Sequence, residues 1–304
     1  MPQGDLVSHG KTKEVRIYDD SGKPAIVEIY SLDDLTAGNG AKHDVLPGKG
    51  ELATTTTCNV FLYLRQRDEY LMIAYRGRSG PRTFHALECR MIPLEVVIRR
   101  FAEGSYLKRN PYAKAGERFK SLEVEFYLKT SGKKWVGKDG VEYALPVDDP
   151  LLVFDTKDGR LVGFTVHEPG KPVDHANPLF SVSFEDVDLP AEYVSRVMTY
   201  AERTFTLLEQ AWWFAATARL KDMKIEFGWS GDPGRTQPPG QLFLADVIDN
   251  DSWRLEIDGE EVSKEIYRRG APLDQVLKAY QKVAKFTERF KDHPGISEER
   301  KYHF

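Results

Sequence analysis

The segment Met223–Leu255, MKIEFGWSGDPGRTQPPGQLFLADVIDNDSWRL, predicts a β-hairpin with an enlarged tip rich in glycine and proline. Alternation along the first strand places Lys224 and Glu226 on one face. Asp246 lies at the end of the second strand, so the hairpin is expected to bring a carboxylate from each strand to one point. Two carboxylates beside a lysine suit Mg²⁺, which takes few protein ligands and adds water and phosphate oxygens. An ordinary charged hairpin face is the alternative that this spacing leaves open.

Length and composition restrict the class of protein. The chain has 304 residues, of which 41% are hydrophobic and 30% charged, and this predicts a globular protein with a sizeable core. A net charge of −4 with both signs mixed gives no basic footprint for nucleic acid. Two cysteines favour a reducing compartment. The N-terminal sequence lacks a signal core and no apolar window approaches the length of a membrane helix, so we expect a cytoplasmic protein.

Hydrophobic periodicity predicts a mixture of helices and strands. Three long segments repeat apolar residues at intervals of three and four, which is typical of helices, and shorter segments alternate as strands do. The predicted helices are Glu51–Arg67, Pro190–Leu220 and Pro272–Phe290, and the predicted strands are Val15–Tyr18, Ala25–Tyr30, Tyr70–Tyr75, Thr83–Met91, Pro93–Arg100 and Leu122–Lys129.

Three polar segments carry side chains suited to anionic ligands. Residues 10–13, GKTK, lie at the mouth of the first predicted hairpin, where glycine admits a phosphate close to the backbone and lysine supplies charge. They are not a Walker A motif, because the upstream glycine is missing and no helix follows. Residues 33–40 predict a loop that could wrap a ligand. Arg99 and Ser105 combine a guanidinium fork with a hydroxyl, as phosphate and carboxylate sites do. Solvated surface residues are the alternative in each case.

Five sequence blocks occur in an order that is similar to one enzyme family. Together they resemble SAICAR synthetase, the phosphoribosylaminoimidazole-succinocarboxamide synthase of purine biosynthesis. Within the blocks, TAGN, SYLKRNP and DVIDNDSWRL are most similar to the animal-type branch, whose synthetase domain is fused to a carboxylase, whereas this chain resembles a stand-alone synthetase. The blocks are GKTKE from residue 10, DDLTAGNGAK from 33, ECRMIPLEVVIRRFAEGSYLKRNP from 88, DMKIEFG from 222 and LADVIDNDSWRL from 244.

The resemblance implies an α+β, ATP-grasp-like fold of antiparallel sheets with flanking helices and a cleft between two lobes. Residues 1–88 would form a β-rich lobe for the ATP phosphates, and residues 89–304 an α+β lobe carrying the metal and substrate sites. The implied reaction joins the carboxylate of carboxyaminoimidazole ribotide (CAIR) to the amine of L-aspartate and cleaves ATP. A carboxylate is a poor acyl donor, so we expect it to be phosphorylated first, with lysines and Mg²⁺ stabilising the transfer. ATP, CAIR and L-aspartate are thus the expected partners, nucleic acid and membranes are not, and a homo-oligomer is left open.

The resemblance also assigns roles to individual residues through the matching motifs. Catalytic roles fall to Lys11, Lys224, Glu226 and Asp246, of which Glu226 and Asp246 would hold Mg²⁺. ATP would be bound by Lys11, Lys13, Glu88, Arg90, Met91, Lys224 and Glu226, and CAIR or aspartate by Asp34, Thr36, Asn39, Arg99, Ser105, Asp251 and Arg254.

Two departures from the family pattern stand out. The family usually joins the strand ending at Lys129 to the long helix through a short segment with an Asp-Pro pair, but residues 130–188 occupy that place here. We expect an ordered β-rich insertion containing a hairpin within residues 151–166. Asp149, before Pro150, is the favoured Asp-Pro counterpart and Asn177 competes with it. The second departure is the enlarged hairpin tip at residues 230–240. The insertion and the tip could each be neutral surface growth, a lid or an oligomer contact.

Two other functions remain open from the sequence. The first is a paralogous amide ligase that keeps the ATP site but uses a different acid or amine. Arg99, Ser105 and Arg254 argue against a changed acid, while the amine is not indicated. The second is a nucleotide-binding regulatory protein that has lost catalysis, against which the complete phosphate and metal set argues.

Overall fold

The computed structural model describes residues 4–21, 24–130, 134–137, 140–145, 148–231 and 240–294. The chain forms two compact units, neither of them continuous in sequence. Unit 1 comprises Met1–Glu88, Thr206–Leu220 and Val247–Phe304, and unit 2 comprises Cys89–Phe205 and Lys221–Asp246. The two-lobe division at residue 88 stays a prediction.

The secondary structure is mixed, as expected for an α+β protein, and the strands pair antiparallel. In chain order the elements are β1 (Leu6–His9), β2 (Lys13–Asp19), β3 (Ile26–Ser31), β4 (Asp34–Ala37), β5 (Lys42–Val45), α1 (Lys49–Arg67), β6 (Tyr75–Arg78), β7 (Thr83–Leu87), β8 (Arg90–Met91), β9 (Leu94–Phe101), α2 (Ser105–Arg109), β10 (Arg118–Leu128), β11 (Lys134–Val136), β12 (Glu142–Ala144), β13 (Leu151–Lys157), β14 (Arg160–His167), β15 (Phe180–Ser183), α3 (Ala191–Ala216), β16 (Arg219–Ser230), β17 (Gln241–Ala245), β18 (Trp253–Ile257), β19 (Glu260–Glu261), α4 (Glu265–Arg268) and α5 (Leu273–Thr287).

Unit 1 is built on an antiparallel sheet in the order β1-β2-β3-β7-β6. Helices α1 and α5 pack together beside it, because each has an apolar stripe to bury. A second apolar cluster joins the β4–β5 hairpin to α5 through Leu35, Leu46, Val276 and Tyr280. The hairpin is thereby held by buried contacts and can present the polar residues of its tip in a defined place.

Unit 2 is an antiparallel sheet in which β15-β14-β13-β10-β9-β16 follow one another, and both β8 and β17 pair with β16. Buried positions alternate with half-buried ones in the first part of β9, where Val96 and Ile98 are fully buried and Glu95 and Val97 are half-buried. The register places Tyr127 opposite Glu95 and Ile225 opposite Val96. Polar residues far apart in sequence therefore lie on neighbouring strands.

The structure confirms the predicted helix Glu51–Arg67 and the predicted hairpin of β16 and β17. The predicted helix Pro190–Leu220 ends earlier, at Ala216, because Thr217 adopts a positive φ of 49° and β16 begins soon afterwards. Only Leu273–Thr287 of the third predicted helix is α-helical, and a 3-10 turn follows it.

Three sequence predictions are wrong in part. Residues 70–74 of the predicted strand Tyr70–Tyr75 form no strand, although Leu71 and Ile73 are buried, because Asp68 instead organises a turn by accepting the Tyr70 N–H at 3.0 Å. The predicted strand Thr83–Met91 is interrupted at residues 88–89. The predicted loop at residues 33–40 is largely β4, with a 3-10 turn at Gly38–Gly40.

The insertion contains the expected hairpin. Strands β13 and β14 pair along their length, and β13 pairs with β10, so the insertion extends the sheet of unit 2. A smaller hairpin, β11 with β12, precedes it. Most of the enlarged tip predicted at residues 230–240 lies outside the described residues, as do residues 131–133 and the end of the chain after residue 294.

Candidate functional site

Strands β16 and β17 carry the side chains proposed for metal binding. Glu226 lies opposite Ala245 in the ladder and is only 8% exposed. Asp246 follows directly after β17 with a positive φ of 62°. By count Asp246 would lie opposite Ile225 and face away from Glu226, so alternation alone would not bring the carboxylates together. The left-handed backbone at Asp246 ends that alternation, and strained non-glycine residues of this kind concentrate at functional sites.

Two ion pairs surround Lys224 and Glu226. The Lys224 Nζ lies 2.6 Å from a carboxylate oxygen of Glu95 on β9, and the Lys129 Nζ lies 2.5 Å from Glu226. Lys224 and Lys129 are about two-fifths exposed, whereas their acidic partners are largely covered. These strands thus hold largely covered carboxylates, each paired with a partly exposed ammonium group, an arrangement that suits polyphosphate with a divalent cation.

Asp149 belongs to the same part of unit 2. Its carboxylate accepts hydrogen bonds from the backbone N–H and the hydroxyl of Thr130, both at 3.1 Å. Burial raises the pKa of Asp149, and the charge of Glu95 adds to that rise while Lys224 opposes it. Asn177 instead donates hydrogen bonds to Asp174 in an exposed turn. These contacts support Asp149 as the counterpart of the family's Asp-Pro residue, which stays a proposal.

The donor set fits a hard cation that keeps most of its water. Among the described residues, no group of three or more His, Cys, Asp and Glu side chains is placed to hold a metal ion. Mg²⁺ does not need such a cage, because one or two carboxylates suffice when phosphate oxygens and water complete its octahedron. Glu226 and Asp246 would be those two ligands.

Arg99 lies at the centre of a buried polar network in unit 2. Its side chain is 3% exposed, and its Nε and Nη1 atoms donate at 2.7 Å to Glu125 and Asp222 respectively. Its Nη2 atom donates to the Ser105 hydroxyl at 3.0 Å and to the Tyr127 hydroxyl at 3.3 Å. The structure therefore brings the predicted pair, Arg99 and Ser105, into direct contact.

The network is charge-balanced by a second arginine. Arg109 of α2 donates to the Tyr127 hydroxyl at 2.7 Å and forms an ion pair with Glu125. Burial alone would raise the pKa of Glu125, but Arg99 and Arg109 outweigh it and hold that pKa below its usual range. Burial likewise opposes the charge on Arg99, and Glu125 with Asp222 overcomes this and raises its pKa. Two guanidinium and two carboxylate groups are thus paired within one buried network.

Strand β8 carries the residues expected beside the adenine. Met91 lies opposite Gly228 of β16, and a Cβ at Gly228 would lie 2.8 Å from the Cβ of Cys89, so only glycine fits there. Met91 is 38% exposed, which leaves an apolar side chain available to a flat base. Arg90, also predicted for ATP, forms an ion pair with Asp188. In unit 1, the Glu88 N–H donates to the carbonyl of Ala25 at 2.8 Å.

In unit 1, residues 10–13 form a turn that leads into β2. The N–H of Gly10 donates to the carbonyl of Lys13 at 2.8 Å, and this places Lys11 on an exposed bend. A Cβ at Gly40 would lie 4.0 Å from the Lys11 Nζ, so Lys11 lies beside the tip of the β4–β5 hairpin. Lys13, the first residue of β2, is half-buried.

The β4–β5 hairpin carries the predicted residues Asp34, Thr36 and Asn39. Asp34 lies 2.7 Å from the Nε2 of His43, and Thr36 lies half-buried opposite the same histidine. Asn39 is in the 3-10 turn, and its side chain lies outside the described part of the structure. The hairpin therefore brings the lysine turn and part of the predicted substrate segment together.

Asp251 lies in a buried charge cluster of unit 1. Its carboxylate lies 2.9 Å from the Lys264 Nζ and 3.6 Å from the Lys49 Nζ, and it accepts a hydrogen bond from Tyr280. Burial would raise the pKa of Asp251, but Lys49 and Lys264 outweigh it and lower that pKa. Asp249 behaves oppositely, because burial and the charge of Asp251 raise its pKa.

Arg254 is also paired within unit 1. Its Nε lies 3.4 Å from a carboxylate oxygen of Glu265, and both side chains are less than one-fifth exposed. Burial would raise the pKa of Glu265, but Arg254 and two neighbouring arginines lower it. Arg254 and Asp251 lie in the same unit as Lys11 and the β4–β5 hairpin, while Arg99 and Ser105 lie in unit 2.

Sequence reasoning missed the partners that complete these clusters. Glu95 and Lys129 are set by the register of β9, β10 and β16, which a single strand pattern does not reveal. Lys49 begins α1 and Lys264 lies just before α4, and neither position marks a lysine as part of a buried charge cluster. The sequence of β10 did carry one usable signal. Alternation places Glu125 on the same face as the buried Tyr127, and a charge on a buried face needs a charged or polar partner. The other residues that were missed are Tyr127, Asp222 and Tyr280.

Comparison with known proteins gives a consistent result. The sequence profile of SAICAR synthetase matches residues 6–134 and 178–287, which leaves most of the insertion unmatched. Phosphoribosylaminoimidazole-succinocarboxamide synthase of Chloroflexus aggregans is 34% identical over 298 residues, covering 95% of this chain and 98% of the relative. A probable multifunctional protein ADE2 of Caenorhabditis elegans is also 34% identical, over 95% of this chain and 59% of its own length.

Solved structures share the fold. Phosphoribosylaminoimidazole-succinocarboxamide synthase from Ehrlichia chaffeensis superposes with a TM-score of 0.69 at 23% identity, covering 93% of this chain and 98% of the other. A type-2 SAICAR synthetase in complex with ADP gives a TM-score of 0.69 at 20% identity, covering 96% of this chain and all of the other.

Among the described residues, no helix has the length and apolar character needed to cross a membrane.

Proposed function

The chain belongs to the SAICAR synthetase family, and on that premise we propose that it joins CAIR to L-aspartate with cleavage of ATP to ADP and phosphate. The observation that carries this proposal is the similarity to the Chloroflexus synthase over nearly the whole of both chains. The acid and lysine pairs on β9, β10 and β16 give that similarity a chemical basis, because they lie in the matched blocks.

The reaction has two balanced steps. A CAIR carboxylate oxygen attacks the γ-phosphorus of ATP, which forms an acyl phosphate and releases ADP. The uncharged aspartate amine then attacks the acyl carbon, the C–O bond to phosphate breaks, and the nitrogen loses a proton as the amide forms. Phosphoryl transfer depends mostly on positioning and charge stabilisation, so the protein needs cations at the phosphates rather than a nucleophile.

The described residues divide these tasks among them. Lys224 supports the transferring phosphate, and Glu95 fixes its position at 2.6 Å. Glu226 and Asp246 would hold Mg²⁺, which would neutralise charge on the phosphate oxygens. Lys11 and Lys13 bind the ATP phosphates. Each assignment follows the matched motif and the contacts described above.

The acid substrate is bound by charged groups that the protein keeps paired. Ser105 takes an anionic group of CAIR, Arg99 supports that contact through its hydrogen bond to the Ser105 hydroxyl, and Arg254 and Asp251 contribute to binding the same substrate. The β4–β5 hairpin, with Asp34, Thr36 and Asn39, faces CAIR or aspartate, and Glu88, Arg90 and Met91 adjoin the adenine. Paired arginines are pre-oriented, which reduces the entropy lost on binding.

Four finer assignments complete the proposal. The blocks TAGN, SYLKRNP and DVIDNDSWRL support an animal-type affinity, although the bacterial and the animal relatives are equally identical to this chain. Composition supports a cytoplasmic enzyme. Residues 1–88 and 89–304 are proposed as the two lobes. The insertion is proposed to lie outside the catalytic core, because the family profile leaves residues 135–177 unmatched.

An oxygen-labelling experiment tests the proposed chemistry. CAIR carrying ¹⁸O in its carboxylate should transfer one labelled oxygen to inorganic phosphate in each turnover, measured by mass spectrometry together with the succinocarboxamide product. Unlabelled phosphate with product formation would exclude an acyl phosphate. Turnover with another amine in preference to L-aspartate would indicate the paralogous ligase instead.

A further inference from the structure

The hydroxyl of Tyr127 has a complete set of hydrogen bonds inside the protein. Its oxygen accepts the Arg109 Nη1 at 2.7 Å and the Arg99 Nη2 at 3.3 Å, and its proton goes to Glu125 at 3.0 Å. A phenolic oxygen has one proton and accepts two strong hydrogen bonds. The side chain is also 8% exposed and lies over the Arg109 guanidinium, whose carbon is 5.6 Å from the ring centre. Tyr127 therefore has no remaining capacity for a ligand.

The N–H donors of Arg99 are likewise all used within the protein. Its five N–H groups end on Glu125, Asp222, the Glu103 carbonyl at 3.4 Å, Ser105 and Tyr127. A guanidinium has five N–H donors. The charged partners fix the Nε and Nη1 side of the group, and only the Nη2 side ends on neutral hydroxyls.

Ser105 differs from both. Its hydroxyl oxygen accepts one hydrogen bond from Arg99, and its other neighbour within the described part of the chain is the Tyr127 oxygen at 3.2 Å. That oxygen already accepts from two arginines, so the Ser105 proton has no good acceptor there. Ser105 is half-buried, whereas Arg99 and Tyr127 are buried. The Ser105 proton is therefore available for an incoming anionic oxygen.

We propose that Tyr127 is a positioning residue for the acid substrate: its hydroxyl fixes Arg99 and Arg109 and leaves the Ser105 proton directed at an anionic oxygen of CAIR. This inference rests on the proposed function, because it assumes that CAIR binds at Ser105. Tyr127 touches no reacting atom. It acts through Ser105, and the positive charge behind the serine strengthens the hydrogen bond to the anion.

A double-mutant cycle with Tyr127→Phe and Ser105→Ala tests this mechanism. Each single variant should raise the KM for CAIR about 10-fold, since each costs about one hydrogen bond to a charged group, and should leave the KM for ATP and the kcat at saturating CAIR within about 2-fold. The double variant should match Ser105→Ala, because Tyr127 acts only through Ser105. Tyr106→Phe is the matched control: the Tyr106 ring packs edge to face against Phe119 with the ring centres 4.9 Å apart, and its hydroxyl has no hydrogen-bond partner within the described residues.

Two results would overturn the proposal. In the first, the KM for CAIR of the double variant rises by the product of the two single increases. In the second, the KM for ATP rises in parallel with the KM for CAIR. Should Tyr127→Phe not fold, Ser105→Thr decides: the retained hydroxyl should keep the KM for CAIR near the wild-type value, and a loss equal to that of Ser105→Ala would refute the role of the proton. A wild-type protein without CAIR-dependent ADP formation would refute the proposed function, whereas an active wild type with an unchanged Tyr127→Phe variant refutes only this inference.

Discussion

Replacing Asp251 by asparagine should destabilise the protein strongly. The substitution keeps the shape of the side chain but removes the charge that Lys264 and Lys49 face at 2.9 and 3.6 Å. Lys49 is 1% exposed, so its ammonium group cannot reach water instead. Breaking a buried ion pair costs roughly 3–5 kcal/mol. We expect about 3 kcal/mol, the lower end of that range, because Asp249 faces the same lysines and partly replaces the lost charge.

The assay is urea unfolding followed by tryptophan fluorescence at pH 7. Asp274→Asn is the matched control, since Asp274 pairs with Lys278 at 3.2 Å on an exposed helix face and both are more than two-thirds exposed. That exposed pair should contribute less than about 1 kcal/mol. A loss of unfolding free energy below about 1 kcal/mol for Asp251→Asn, or equal to that of the control, would refute the account of the cluster.

The same cluster predicts a dependence of stability on pH. The folded-state pKa of Asp251 is lowered, so its contribution is complete above the unfolded carboxyl pKa of about 3.9 and is lost as pH falls through the folded value. Asp249 acts in the opposite sense. Its folded pKa is raised, so its protonation on acidification removes a buried negative charge that lies close to Asp251. The difference in unfolding free energy between wild type and Asp251→Asn should therefore shrink below about pH 4. A difference that stays constant from pH 7 to pH 3 would contradict this.

Three further predictions concern activity. Glu226→Ala or Asp246→Ala should lower ADP formation more than 10-fold, a loss above about 1.4 kcal/mol, with an unchanged circular dichroism spectrum; a smaller loss would exclude metal binding by that residue. Arg254→Lys should weaken CAIR far more than ATP in separate titrations, because a point charge replaces a planar fork, and equal effects would remove Arg254 from the CAIR site. Replacing Gly159–Pro178 by a short Gly/Ser linker should keep ligase activity while changing stability or oligomer size, and loss of aspartate-dependent ADP release in a folded variant would show that the insertion builds the site.

The fold was predictable where local pattern and burial agree. The hairpin of β16 and β17 and the helix α1 form where their sequence patterns predict them. Both faces of β16 are nevertheless buried over residues 225–230, which the alternation did not predict. The apolar run at residues 70–74 led to a wrong strand prediction, because Leu71, Ile73 and Ala74 are buried without forming a strand. Positive φ at Thr217 ends α3 early, and a threonine gives little local warning of that conformation.

Candidate site residues could be named from the sequence, but their contacts could not. Alternation along β16 drew attention to Lys224 and Glu226, a guanidinium near a hydroxyl drew attention to Arg99, and the resemblance supplied their roles. Which partner each one meets depends on strand register and on buried charge balance. Lys129 beside Glu226 and Tyr127 beside Arg99 are consequences of that register, so they became visible only in three dimensions.

The most direct measurement for the central claim is ADP formation by the purified protein with ATP, Mg²⁺, CAIR and L-aspartate, and with each component omitted in turn. The account predicts sustained ADP release only in the complete mixture, together with one equivalent of the succinocarboxamide product for each ADP. ADP release that does not depend on CAIR, or a complete mixture that gives no product, would contradict it.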